Sequence, residues 1–368
     1  MRNRLVRLGD VVEINPSVRP TIRPDEMASF VAMANVSEEG RIIKVQQRPL
    51  VEVQKGYTAF LQGDVLLAKI TPCFENGKAA LVDSLPTKFG FGSTEFHVLR
   101  HGHNVDPRFL FHLVWNQHFR RLGASRMTGS AGQKRVPTAY LADYEFLLPS
   151  VVEQQHVAAV LDKAHSLRRK RQEAMSLAAE LARSKFAEMF GEPRTNVRGL
   201  QTVALGEVAK LKSGDFLPSH EMAGTGDVLV YGGNGVNGRH DRAMFADAKL
   251  AIGRVGAYCG AVHLTKPRSW ITDNALYVSE VSSEVRLEYL AFALTQANLN
   301  QYSSQSGQPL VSASRLYPVK IVLPPLTLQD KFLEMLSRLR IIQERQASSL
   351  RAIDEMSRAL TAELFSKG

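Results

Sequence analysis

The sequence predicts an α+β protein made of two globular α/β segments and two long helices that pair with each other. Three observations carry that prediction. The stretch 146–190 recurs 175 residues later as 321–365 without a gap, and a fixed long period of this kind marks a duplicated unit. Each copy opens on an apolar strand-like run closed by proline and then changes to helical period, free of internal Pro and Gly. The segment ahead of each copy is a series of short apolar runs split by glycine turns, the pattern of strands.

The first segment opens on Val6-Arg7-Leu8-Gly9-Asp10-Val11, and Val203-Ala204-Leu205-Gly206-Glu207-Val208 opens the second in nearly the same words, 197 residues on. Since the helices repeat at 175, the second globular segment is 22 residues shorter (197 minus 175). Similar ends with divergent middles describe one scaffold carrying two specificities. In the first middle, 57–61, 64–70, 79–82 and 93–99 read as strands. Asp106-Pro107-Arg108 starts a helix with Phe109, Leu110, Leu113, Val114 and Phe119 on its apolar face, and 120–135 is dense in Arg, Lys, Ser and Gly. In the second middle, 228–231, 249–252 and 270–278 take the strand positions and 287–294 the helix. Tyr302-Ser303-Ser304-Gln305-Ser306-Gly307-Gln308 repeats the polar stretch with fewer charges.

The copies share Leu148/Leu323, Pro149/Pro324, Gln154/Gln329, Leu161/Leu336, Arg183/Arg358 and Phe190/Phe365. The second helix places Phe332, Met335, Leu336, Leu339, Ile342, Leu350, Ile353, Met356, Leu360 and Leu364 at steps of three and four, a coiled-coil seam. The first places Val157, Val160, Leu161, Ala164, Leu167, Met175, Ala178, Leu181 and Met189 in the same register. Each helix is expected to run for about 35 residues, roughly 50 Å at 1.5 Å per residue. Seam-to-seam packing is expected through Leu161, Leu167, Leu181, Met335, Leu339, Ile342, Ile353 and Met356; the alternative is that each helix lies on its own globular segment. Gly191-Glu192-Pro193 ends the first helix. The expected domains are 1–150, the helix 151–192, 193–325 and the helix 326–368.

Composition limits the partners. A chain of 368 residues with 44% apolar residues buries two ordinary cores. A net charge of +10 and a pI near 9.6 point to a polyanion, nucleic acid before membrane, because no apolar run is long enough to span a bilayer. The basic start, Met1-Arg2-Asn3-Arg4, leads into no signal-peptide core, so a cytoplasmic protein is expected. Cys73 and Cys259 form no CxxC pair, which removes a zinc ribbon or a disulfide framework.

Enzymatic motifs fail on context. Gly233-Asn234-Gly235-Val236-Asn237-Gly238 satisfies the dinucleotide fingerprint in letters, but no amphipathic helix follows, and Gly253-Arg254 stands where an acidic ribose ligand belongs. A polar Gly-Asn loop is better suited to letting backbone approach a phosphate or base edge. His97, His101 and His103 are neighbours without a metal-binding spacing. Walker A and G-x-S-x-G sequences are absent. Leu323-Pro324-Pro325-Leu326 lacks the polar and aromatic residues of an amino-methyltransferase tetrad and reads as a helix entry. Arg168-Arg169-Lys170-Arg171 wraps around the first helix, so part of it faces solvent or DNA.

Taken together, the duplicated Leu-Pro entries with Gln154 and Gln329, the run Tyr231 through Gly238, Gly253-Arg254-Val255-Gly256 with Thr272-Asp273-Asn274, and Asp64 through Gly77 with Ser93-Thr94-Glu95-Phe96 resemble the DNA specificity subunit of type I restriction-modification systems, HsdS. The chain is short for that family. The resemblance implies two pseudo-twofold-related α/β target-recognition domains separated by two long antiparallel helices forming a coiled coil, each domain reading half of a split double-stranded DNA target. It also implies a non-catalytic subunit that docks two methyltransferase subunits and motor-nuclease subunits. S-adenosylmethionine, ATP and Mg are then expected on those partners and no cofactor on this chain. A rod of the expected length caps the unread gap at roughly 15 base pairs. Residues expected at the first half-site are Lys69, Asn76, Lys78, Arg126, Gln133, Lys134 and Arg135, and at the second Asn234, Asn237, Arg239, Arg254, Tyr258 and Gln308, as Lys, Arg, Asn and Gln serve phosphates and base edges. A self-contained modification enzyme and a coiled-coil scaffold for protein partners are the rival readings.

Overall fold

Two units divide the chain, Met1–Arg171 with Ser348–Gly368, and Gln172–Ala347. The computed structural model describes residues 4–18, 26–130, 132–193, 196–222, 225–304 and 309–365. The boundary falls inside both long helices, so each unit combines one globular segment with the first half of one helix and the second half of the other.

The first unit is closed at its base by an antiparallel pair, Arg4–Arg7 against Glu145–Leu148. A four-stranded sheet follows in the order Val12–Ile14, Phe96–His101, Val65–Ala68, Ala79–Leu81. A second sheet runs Gln46–Pro49, Met27–Val31, Gly90–Gly92, Thr58–Phe60, with a parallel pairing between Met27–Val31 and Gly90–Gly92. All four residues of Val65–Ala68 are buried, as expected of a central strand covered on both faces. The helix Pro107–Trp115 lies against this core. Asp106 caps it, its Oδ1 accepting from the backbone N–H of Arg108 and Phe109, with Pro107 in the first turn. The single helix expected to reach Phe119 is two: the chain breaks at Asn116, whose Oδ1 accepts from the Phe119 N–H and caps Gln117–Ser125.

The second unit repeats the plan. Thr202–Ala204 pairs antiparallel with Lys320–Val322. The four-stranded sheet runs Ala209–Ser213, Ala275–Val281, Leu250–Gly253, Val262–Leu264, and the other sheet Gly235–His240, Val228–Gly232, Ser269–Ile271. The helix is Leu287–Gln296. Among the described residues this second sheet has three strands where the first unit's has four, in keeping with the shorter middle.

Each long helix has 40 residues, Val151–Phe190 and Leu326–Phe365, about 60 Å and longer than expected. Gly191 ends the first at φ +69, the left-handed position that favours glycine after a helix. Within each unit the helices run antiparallel. In the first, Leu161 and Phe365 share one core while Arg168 pairs with Asp354 at 3.5 Å. In the second, Phe186 packs on Phe332 with centroids 5.4 Å apart, and Gln343 Nε2 reaches the Met175 carbonyl at 3.5 Å. The two packing alternatives are therefore both realised, because the same stripe covers the globular core and the partner helix.

The seam itself needs correction. Leu161 is buried, and Leu167, Met335, Leu339 and Ile353 are half-buried, but Leu181, Ile342 and Met356 are 46%, 45% and 50% exposed. The buried line of the first helix steps by four, Ala178-Ala182-Phe186-Phe190, leaving Leu181 about 100° off it. On the second helix the covered line runs Leu339, Gln343, Gln346, Leu350, Ile353, Ser357. Polar residues occupy positions where a strict apolar seam was expected, and Ile342 and Met356 lie beside that line. Of the basic run, Arg168 turns to Asp354, Arg169 and Lys170 are exposed and Arg171 is half-buried. Among the described residues no helix is long and apolar enough to cross a membrane.

Candidate nucleic-acid interface

Three segments far apart in sequence converge in the first unit, just beyond the end of the buried strand Val65–Ala68. The Lys69 N–H donates to the Glu95 carbonyl at 2.9 Å, and the Lys69 carbonyl accepts from Val136 N–H at 2.8 Å. The Thr71 N–H donates to Lys134 O at 2.9 Å, and Ile70 forms an isolated bridge with Arg135. The basic stretch after the helices is thereby stitched to the end of a central strand, with Lys69 in the middle. Arg135 holds Glu95 in both hands, Nε to Oε2 at 2.9 Å and Nη2 to Oε1 at 2.8 Å. That pair of hydrogen bonds keeps the Glu95 carboxyl below the usual carboxylate range. His97 supports the junction from below: it is buried, with Nε2 2.9 Å from the Val136 carbonyl, and burial depresses its pKa. It is a satisfied core histidine.

The second unit builds the same junction with other side chains. The Arg254 N–H donates to Asn274 O at 2.9 Å, the Arg254 carbonyl accepts from Val311 N–H at 2.9 Å, and Val255 bridges Leu310. One residue earlier, Ala68 N–H to Lys78 O in the first unit (2.9 Å) answers Gly253 N–H to Ala261 O in the second (2.7 Å). Lys69 thus corresponds to Arg254, Glu95 to Asn274 and Arg135 to Leu310. The Gly-Asn run presses on this junction as the tip of a hairpin, Val228–Gly232 with Gly235–His240. Gly253 lies against Gly233 so closely that a Cβ there would strike the carbonyls of Tyr258 and Gly233. The fingerprint glycines lead into a strand, not a helix, and the dinucleotide reading ends there.

Residues 198–350 match the family described as type I restriction modification DNA specificity domain. That stretch is thus similar to a type I restriction-modification DNA specificity domain. The chain is similar to two specificity subunits from Escherichia coli. To that of the type I restriction enzyme EcoEI it is 38% identical over 160 residues, 43% of this chain and 27% of the relative. To that of EcoAI it is 37% identical over 152 residues, 41% and 26%. The matched stretch thus spans about a quarter of each relative's length. In fold the chain resembles the crystal structure of the type I restriction-modification S subunit from M. genitalium, with a TM-score of 0.67 at 14% identity, covering 97% of this chain and 94% of that one.

Within the matched stretch 198–350, Asn234, Asn237, Arg239 and Tyr258 are exposed. Arg239 Nη1 is 3.3 Å from the Gly226 carbonyl. Arg254 is half-buried, with Nη1 3.2 Å from Ser213 Oγ and an Nε that has no partner among the described residues. Gln308 lies outside the described residues. Cys259, beneath Arg254, donates its thiol to the Arg254 carbonyl at 3.3 Å, and burial raises its pKa. In the first unit Arg126, Gln133 and Lys134 are exposed and Lys69 half-buried around the junction. Asn76 donates to Glu38 Oε1 at 2.9 Å and Lys78 to the Met33 carbonyl at 3.4 Å, so both also brace the 71–78 loop. Arg120 fixes that loop from beneath, its Nη1 donating to Glu75 O at 2.6 Å. Glu95, Asn274, Leu310 and Ser213 complete the junctions and were not among the expected site residues. For Leu310 the signal was present: it stands 175 residues after Arg135.

Proposed function

We propose that this chain is the DNA-recognition subunit of a type I restriction-modification complex, each unit reading one half of a split double-stranded target. The observation that carries this reading is the junction built twice, with a cation at its centre and different side chains around it. A scaffold for two protein partners has no need to keep one backbone framework and vary the charge at its apex, whereas two reading heads do. The chain itself is non-catalytic: two methyltransferase subunits and motor-nuclease subunits dock on it and bring S-adenosylmethionine, ATP and Mg. It works in the cytoplasm, where the DNA is.

A salt titration of DNA binding by the purified chain, alone and with its methyltransferase subunits, tests the reading. Neutralising several phosphates predicts that log K falls linearly with log salt, losing at least about 100-fold between 50 and 200 mM. Binding insensitive to salt favours the protein scaffold, and methyl transfer by the chain without partners favours a self-contained enzyme.

A further inference from the structure

The two junctions share a backbone and differ in chemistry at three corresponding places: Lys69, Glu95 and Arg135 against Arg254, Asn274 and Leu310. In the first unit the guanidinium is spent. Arg135 is locked to Glu95 through two hydrogen bonds, and the cation at the centre without an ion-pair partner among the described residues is Lys69, a point charge without directional preference. In the second unit the pair is gone. Asn274 is neutral and exposed, Leu310 is apolar and 37% exposed, and among the described residues no carboxylate pairs with Arg254. Its Nη1 donates to the neutral Ser213 hydroxyl, and its Nε is buried and without a partner among the described residues. An arginine without a counter-charge presents a fork of donors that matches O6 and N7 of guanine.

Resting on the DNA-recognition reading above, we infer that the junction is the specificity-determining position of each unit, and that Arg254 reads a guanine in the second half-site. Asn274 and Leu310 place no charge beside that guanidinium, where Glu95 and Arg135 form an ion pair beside Lys69 in the first unit. The glycine at position 253, pressed between the hairpin tip and the Tyr258 loop, holds Arg254 at the end of a buried strand, so the fork is placed by a rigid element instead of a loop.

The test begins with selection of bound DNA by the full chain from a library randomised in both half-sites, followed by Arg254→Ala, Arg254→Lys and the double variant Asn274→Glu, Leu310→Arg. Lys69 occupies the matching place in the first unit, so Arg254→Lys is compatible with the framework. The inference expects Arg254→Ala to lose preference for one guanine in the second half-site, with roughly 5- to 100-fold less discrimination, and the first half-site to be unchanged. Arg254→Lys retains binding with weaker discrimination at that base pair. The double variant, which rebuilds the Glu95–Arg135 pair of the first unit beside Arg254, alters the same base pair. Replacing that guanine by 7-deazaguanine weakens the wild type and leaves Arg254→Ala indifferent. A uniform loss of affinity with the selected sequence intact makes Arg254 a phosphate contact and overturns the inference while keeping the DNA-recognition reading. A wild-type chain that selects no sequence, alone or with its methyltransferase subunits, overturns both.

Discussion

Two glutamines show what a single side chain does in this fold. Gln154 is fully buried, and its amide makes three hydrogen bonds: Oε1 accepts from Asp106 N–H at 2.8 Å, while Nε2 donates to the carbonyls of Asn104 and Pro149, both at 2.9 Å. Gln329 does the same with Arg286 N–H, Glu284 O and Pro324 O, each at 2.8 Å. Each ties the first turn of a long helix to the loop before the globular helix and to the proline that closes the preceding strand. Gln154→Leu or Gln329→Leu removes three hydrogen bonds to the backbone and is expected to cost about 2–4 kcal/mol in chemical denaturation. A second expectation concerns acid. His165 sits edge-on to Trp115 at 4.6 Å and beside His112 at 5.2 Å. Burial first, then His112 and Arg168, push its pKa down to about 4 from 6.5. The unfolded chain therefore takes the proton first. The stability contributed by neutral His165 is complete above about pH 6.5 and is lost as pH falls toward 4, on the order of 3 kcal/mol in all. His165→Gln is expected to flatten that part of the stability profile measured between pH 7 and 4.

For the elements, the long helices bury their stripes in two ways. Near the ends of the second unit's pair the stripe is aromatic: Phe186 meets Phe190, Tyr289, Phe292 and Phe332 within 5.8 Å between centroids. Toward the middle it becomes partly polar, with Gln343 and Gln346 on the covered line. Stability should follow burial, not heptad position. Phe186→Ala is expected to cost about 3–5 kcal/mol, whereas Leu181→Ala, at an exposed position, should stay within about 0.5 kcal/mol. Thermal or urea unfolding of the two variants checks this, and equal losses would restore the seam first expected from the sequence.

At the scale of the whole molecule, the proposed function has two versions of one framework divide recognition between them. Replacing residues 200–317 by the corresponding segment of a relative should change one half of the selected DNA sequence and leave the other half as it was. Base-resolution selection on the chimera reads this directly. Because the segment begins and ends at the paired strands Thr202–Ala204 and Lys320–Val322, the exchange leaves the helix entry at Gln329 in place.

The sequence alone determined the duplication, the two long helices with their Leu-Pro-Gln entries, some of the strands in each middle and the end of the first helix at Gly191. These are local properties, set by period, by proline and glycine and by internal repetition, and each is readable without knowing what lies opposite. Only the tertiary structure decided which face of each helix is covered, since that depends on Tyr289 and Phe292 arriving from another element. It also decided that Arg135 faces Glu95 while Arg254 faces no acid among the described residues. Charge in a sequence has no direction; it acquires one when the backbone brings residues 69, 95 and 135, or 254, 274 and 310, to the same place, and burial and pairing then settle which cation is free.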